Sequence, residues 1–455
     1  MPHYDLIIRR GTLVTPGGIA ASDLAVDGGR IVALAPEIAG AGREEITAAG
    51  LHVFPGLIDA HVHCNEPGRT EWEGFATATR ALAAGGATAF FDMPLNAHPP
   101  TLDVASFDAK RAAAENAALI DFALWGGLTP LNLDHLDELA ARGVVGFKAF
   151  MSSSGIEDFP AADDATLVRG MERAARLGRI VAVHAEDEAI TSRLAQEAQA
   201  EGRTSVRDYL RSRPVRAELE AIARAIGYAE AAGCALHIVH VSCGQGVRLV
   251  AEARARGVDV SCETCPHYLV LTEEDVEALG AVAKCAPPLR SRAELEALWA
   301  HLLDGSLPMV ASDHSPAPAS MKADANFFKV WGGISGCQST LPLLLTEGHV
   351  RRGLPLTAIA AATAQYVARR FHVPHKGALA EGCDADLALV DLRAAEELQA
   401  DDLLYRHRHS PYVGRALRGR VVRTLVRGLT VYRNRAVVSA PVGRLVRPGP
   451  QPFAA

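Results

Sequence analysis

No run in the sequence approaches the ~18 consecutive apolar residues that a membrane-spanning helix needs, so a bilayer is not an expected environment. There is no block of Lys and Arg, and 53 acidic residues outnumber 46 basic ones for a net charge of −7, so the electrostatic footprint of a nucleic-acid binder is missing. A small neutral substrate is easier to accommodate. The opening residues, MPHYDLIIRRGTLVTPGG, lack the charged, apolar and cleavage regions of a secretory signal, which makes the cytoplasm the expected compartment. Eight cysteines scattered through 455 residues, several within apolar runs, suit reduced thiols rather than a disulfide frame. Cys262 and Cys265 form a C-x-x-C, but no second pair stands at zinc-finger distance, and in a strand the two would face opposite sides. Internal repeats and low-complexity segments are absent beyond an Ala-rich bias in the helical stretches.

What is present is 49% hydrophobic and 22% charged residues, the balance of a large globular chain. From about residue 54 to 375, short β-favouring runs alternate with longer segments of helical period. Eight such runs are recognisable: LIDAHVH, ATAFFDMP, DFALWGG, VVGFKAF, IVAVHAE, ALHIVHVS, VDVSCETCP and PMVASDHS. Near-continuous apolar strands separated by helices imply parallel pairing with both faces covered, and eight imply an α/β fold closed as a (β/α)₈ TIM-like barrel. The two ends of the chain, residues 1–53 and 376–455, consist of short alternating strands broken by Gly and Pro. They are expected to meet in one small β-sandwich domain attached to the catalytic barrel of residues 54–375. The tail APVGRLVRPGPQPFAA is expected to be a loosely held arm.

Chemistry in such a barrel sits where strands end and the following loops begin. Those ends carry His61, His63, Lys148, His184, His240 and Asp313. His61 and His63 are one residue apart in a strand and point the same way, a geometry for gripping one ion. A second H-x-H, His407 and His409, follows no apolar strand. Each histidine alone suits a satisfied core position. Four imidazoles, a lysine and an aspartate buried in one barrel mouth would leave several unpaired groups, each costing about 1–3 kcal/mol, unless a metal takes them up. Lys148 cannot ligate a cation as an ammonium. Burial beside positive charge favours its neutral amine, which can add CO₂ to become a carbamate and bridge two metals. Histidine and carboxylate donors without thiolate suit Zn²⁺, with Co²⁺, Mn²⁺ and Fe²⁺ also compatible.

The motifs PGLIDAHVH, GFKAF, VHAE, HIVHVS and ASDHSP, closed by EGCDADLALVD, resemble the cyclic amidohydrolase superfamily, which includes dihydroorotase, dihydropyrimidinase, hydantoinase and allantoinase. The resemblance spans nearly the whole chain. It implies a binuclear centre with His61, His63 and Asp313 on one ion, His184 and His240 on the other, and carboxylated Lys148 (N6-carboxylysine) between them. His267 and His314 then fall outside the ligand set. Within the superfamily, Cys64 and Asn65 stand where dihydroorotases place an Arg for a substrate carboxylate. FKAFMSSSGIEDFP offers serines where dihydropyrimidinases place a Tyr. Longer stretches, among them CETCPHYLVL, AKCAPPLR and MKADANFFKVWGGISGCQSTLPLL, are similar to allantoinases.

That similarity implies hydrolytic ring opening of allantoin, a small neutral cyclic ureide, to allantoate in purine breakdown. Asp313 would be general base and then acid. Asn65, Asn96, Ser152, Ser153 and Ser315 are candidate contacts to the substrate, and a homotetramer is expected. The alternatives are a hydantoinase or dihydropyrimidinase and, from another class, a non-catalytic scaffold.

Overall fold

The computed structural model describes residues 3–449. Seven of the eight β-favouring runs form parallel strands in two sheets. One holds Leu57–Val62, Ala87–Asp92 and Asp121–Leu124; the other runs from Gly126–Gly127 through Gly146–Phe150, Ile180–His184 and Leu236–Ile238 to Val260–Cys262. The run DFALWGG serves both sheets because it breaks at Trp125. There the Trp125 N–H donates to Asp92 O at 3.0 Å, and Val145 N–H to Leu124 O at 3.0 Å. The eighth run, PMVASDHS, forms no ladder, which departs from the expectation. It makes single bridges, Val310 to Thr264 on one side and His314 to Val62 on the other. Its backbone turns left-handed at Asp313, φ 44°, which ends regular pairing while still carrying the ring of segments round to the first strand.

Alternation along the strands decides what faces the axis. Ile180 and Ala182 belong to the inner apolar cluster with Ala89, Phe91, Trp125 and Met309, while Val181 and Val183 pack outward against the helices. His184 follows with the parity of Ile180 and Ala182, so it stands above this packed floor. In the first strand Ile58 and Ala60 are inner and Val62 is outer. A register shift between Asp59 and Val62 switches the parity there, so that His61 and His63 face the axis. The helices follow the apolar period. Val215–Ala232 buries Ala217, Ala221, Ile222, Ala225, Ile226 and Ala229 on one stripe and stops at Gly233, φ 62°.

Strands from both ends of the chain form one nine-stranded sheet, joined where His52–Pro55 pairs antiparallel with Leu387–Glu397. Leu6, Ile8, Leu24 and Ile31 share one core with Leu387, Leu389 and Leu425. A buried Lys376 ties this sheet to the barrel, reaching Asp121 at 2.8 Å, Asp384 at 3.0 Å and Asp386 at 2.6 Å. The tail is not the loose arm expected from its Pro and Gly content. Gly443 N–H donates to Ala118 O at 2.9 Å, Val446 N–H to Phe122 O at 2.7 Å and Gly449 N–H to His372 O at 2.7 Å. Extended backbone beside the end of a barrel strand finds partners for its polar groups whatever its side chains are. The last six residues of that tail lie outside the described residues.

Candidate metal centre

The sequence-selected side chains converge above the barrel floor. Asp313 Oδ1 lies 3.3 Å from His61 Nε2 and 3.5 Å from His63 Nε2. Donors that share a tetrahedral ion at about 2.0–2.2 Å sit about 3.3–3.5 Å apart, so this spacing fits one cation. Burial alone would raise the Asp313 carboxyl, but His61 and His63 outweigh it and hold it below the ordinary carboxylate range. Across the mouth, His184 Nδ1 faces His240 Nε2 at 3.1 Å. His61 and His240 are adjacent, with ring centroids 5.4 Å apart. Burial lowers the pKa of His63, His184 and His240, favouring the neutral imidazole that a metal requires.

Lys148 is fully buried on Gly146–Phe150, and its Nζ has no hydrogen-bond partner. It sits 4.9 Å from the Phe150 ring, which in turn stacks on His184. Burial pushes its pKa down to about 7, against the pull of Asp313 and Glu263. An unpaired buried amine beside four inward-facing imidazoles and a carboxylate is the donor chemistry that a metal centre bridged by a modified lysine would satisfy. His240, φ 40°, and Asp313 both hold left-handed backbone, a strain of about 1–3 kcal/mol each that clusters at functional sites.

Several residues that orient the donors carry no local signal. Glu263 Oε1 accepts from His61 Nδ1 at 2.6 Å, which leaves the His61 Nε2 lone pair facing Asp313, and its Oε2 meets His237 Nε2 at 3.2 Å. Glu186 Oε2 accepts from His184 Nε2 at 2.9 Å and is ion-paired with Arg213, turning His184 Nδ1 toward His240. Burial would raise Glu186, yet Arg213 and His184 hold it at about 2. Asp59 accepts from Ser312 N–H at 3.0 Å and so fastens the eighth segment to the first strand.

A cleft of ≈ 330 Å³ opens beside His61, His63, His184, His240 and Asp313. Asn96, Ser153, Ser154 and Ser315 line it together with Phe150, Val330 and Trp331. Asn65 is not on this wall: it is buried at φ 62° and its Nδ2 donates to Pro316 O at 3.2 Å, shaping the loop. Ser152 is also buried off the wall. Two cations missed in the sequence, Arg213 and Lys284, do line the cleft. Both are engaged, Arg213 by Glu186 and Lys284 by backbone carbonyls of residues 327, 328 and 330. Lys329 is exposed at the rim. Of the histidines set aside earlier, His267 lies beside Asp313, with Cys265 completing a tight group. His314 Nδ1 accepts from Gly336 N–H at 3.2 Å, and His407 donates to Glu71 O at 2.8 Å.

Residues 52–431 match the model of the amidohydrolase family. A protein named allantoinase from Rubrobacter xylanophilus is 60% identical over 448 residues, covering 98% of each chain. Another of that name from Solibacter usitatus is 56% identical over 450 residues, 99% of this chain and 98% of the other. Among solved structures, the L-hydantoinase (dihydropyrimidinase) from Arthrobacter aurescens superposes with a TM-score of 0.95 at 34% identity, covering 98% of this chain and all of the other.

Proposed function

The chain belongs to the amidohydrolase family, and from that premise we propose that it hydrolyses allantoin to allantoate, opening the hydantoin ring at a binuclear metal centre. The observation that carries the substrate is the cleft's charge state. Of its three lining cations, Arg213 and Lys284 are already committed and Lys329 stands exposed at the rim, so the wall beside the histidines presents amide and hydroxyl groups. A neutral ring with a ureido arm matches that wall through hydrogen bonds, with no fork of fixed positive charge needed beside the histidines. The names of the full-length relatives at 56–60% identity support the same substrate.

In this reading His61, His63 and Asp313 would hold one divalent cation and His184 and His240 the other, with Lys148, carboxylated on Nζ, as the ligand they would share. Zn²⁺ suits these donors, as do Co²⁺, Mn²⁺ and Fe²⁺. The bound cations would supply an acidified water and a polarised ring carbonyl. Asp313 takes the proton from the attacking water and delivers it to the departing ring nitrogen, acting first as base and then as acid. Glu263 and Glu186 keep His61 and His184 in the tautomers that leave lone pairs facing the centre. Asn96, Ser153 and Ser315 donate or accept along the ring and arm, while the apolar lining of Phe150, Val330 and Trp331 excludes water.

We divide the chain into a sheet domain of residues 1–53 and 376–455 and a catalytic barrel of residues 54–375. No described helix is long and apolar enough to cross a membrane, and the eight cysteines are unpaired, which suits a cytoplasmic setting. We further propose that the chain assembles as a homotetramer, checked by light scattering. The substrate is tested by assaying allantoin, hydantoin, dihydrouracil and dihydroorotate side by side, with metal analysis on the same sample. Allantoin should be turned over fastest at about two metals per chain. A preference for dihydrouracil or dihydroorotate sinks the assignment, and a metal-free inactive protein would point to a scaffold.

A further inference from the structure

Lys284 and Lys322 lie outside the ligand set, and neither faces a carboxylate among the described residues. The buried Lys284 ammonium donates to the carbonyls of Phe327 at 2.6 Å, Phe328 at 3.2 Å and Val330 at 2.5 Å, under the Tyr209 ring at 4.4 Å. Its own carbonyl accepts from Gly333 N–H at 2.8 Å. Lys322 Nζ donates to Ala281 O at 3.3 Å, Trp331 O at 3.0 Å and Gly333 O at 2.7 Å. Within residues 327–333, five backbone carbonyls are therefore turned toward two ammonium groups.

A buried ammonium without a counter-charge is costly, and burial with Arg213 and Lys322 nearby pushes the Lys284 pKa down to about 7; three carbonyl dipoles, which Lys148 lacks, oppose that by accepting its protons. The same arrangement fixes the loop. Its carbonyls face the lysines, and residues 328–333 form one wall of the cleft. The wall is seated tightly. Gly333 holds φ 145° with so little room that a Cβ would come within 2.2 Å of Ser315 O, two residues from Asp313.

We infer that Lys284 and Lys322 are positioning residues for ring opening: their ammonium groups hold residues 327–333 as a preformed wall, seated on Ser315, that presses the substrate ring against the metal cluster. This rests on the cleft being the substrate site, as proposed above. A preformed wall spares the substrate the ordering of a seven-residue loop, so its loss weakens binding more than chemistry.

The test pairs hydrogen exchange of the substrate-free holoenzyme with steady-state kinetics on Lys284→Met, Lys284→Arg and Lys322→Met. Exchange in residues 327–333 should rise about tenfold in Lys284→Met with other segments unchanged, and KM for allantoin should rise about tenfold with kcat within about threefold. Metal content should be unchanged, and Lys284→Arg should recover part of both effects. Lys322→Met, on a less buried side chain, should move the same readouts less, and it carries the test if Lys284→Met does not fold. Unchanged exchange in the loop, exchange raised throughout the chain, or lost kcat at constant KM would each overturn the inference. Exchange is read without substrate, so a wild-type enzyme that ignores allantoin refutes the substrate assignment and leaves the loop clamp to be judged on its own data.

Discussion

His61 Nδ1 and Glu263 Oε1 meet at 2.6 Å across the barrel, 202 positions apart in the chain. Both side chains are buried. One comes from the first strand and the other from just beyond Val260–Cys262. Burial would raise the Glu263 carboxyl, but His237 and His61 hold it at about 2, so at neutral pH it is a pure acceptor. That fixes which His61 nitrogen is free to bind a metal.

Replacing that acceptor should be felt at the metal. Glu263→Gln is expected to weaken metal affinity by about 10- to 100-fold. Competition with a chelator measures it, and an affinity equal to wild type would show that Glu263 does not orient the ligand.

Asp313→Asn should fold, because Asn tolerates the left-handed backbone at this position. Turnover should fall by about 10²- to 10⁴-fold, as expected when a proton-transferring group is lost. Wild-type kcat in a metal-replete variant would refute the role in proton transfer.

Lys148→Ala removes the buried amine and should yield protein depleted in metal and activity. Short carboxylic acids added to the buffer should restore part of both, since they fit the space and supply the missing bridge. Full metal occupancy without the lysine would contradict the bridging role.

The loop of residues 400–412 is fastened to Glu73, whose carboxylate accepts from Arg406 N–H. Burial pushes the Glu73 pKa up to about 7. A group raised in the folded state contributes stability below its unfolded value near 4.5 and loses it as pH rises through about 7. Relative to Glu73→Gln, the wild type should lose about 3 kcal/mol over that window. The Tm difference between the two proteins, followed from pH 5 to 8, should therefore grow in favour of the variant. A constant difference would mean that the carboxyl titrates normally.

Local chemistry alone determined a good deal. The apolar β runs and the helical stripes between them fix eight β/α repeats, because burial on two faces demands continuous apolar strands and burial on one demands a stripe. Strand parity put His61 and His63 on one common side and His184 over Ile180 and Ala182, because side-chain direction follows from the backbone period; the register shift between Asp59 and Val62 then turned the histidine pair to the axis. Only the tertiary structure decided the break at Trp125, the irregular closure at residues 309–314 and the docking of residues 443–449, since backbone groups pair with whichever backbone lies opposite. It also decided that Asn65 shapes a loop instead of the cleft, and that Glu263, Glu186 and Lys284 reach His61, His184 and the loop of residues 327–333. Those partnerships join residues far apart in the chain. Nothing in the identity of a glutamate or a lysine encodes its partner until the barrel has closed and a buried charge must be met by the group that closure puts beside it.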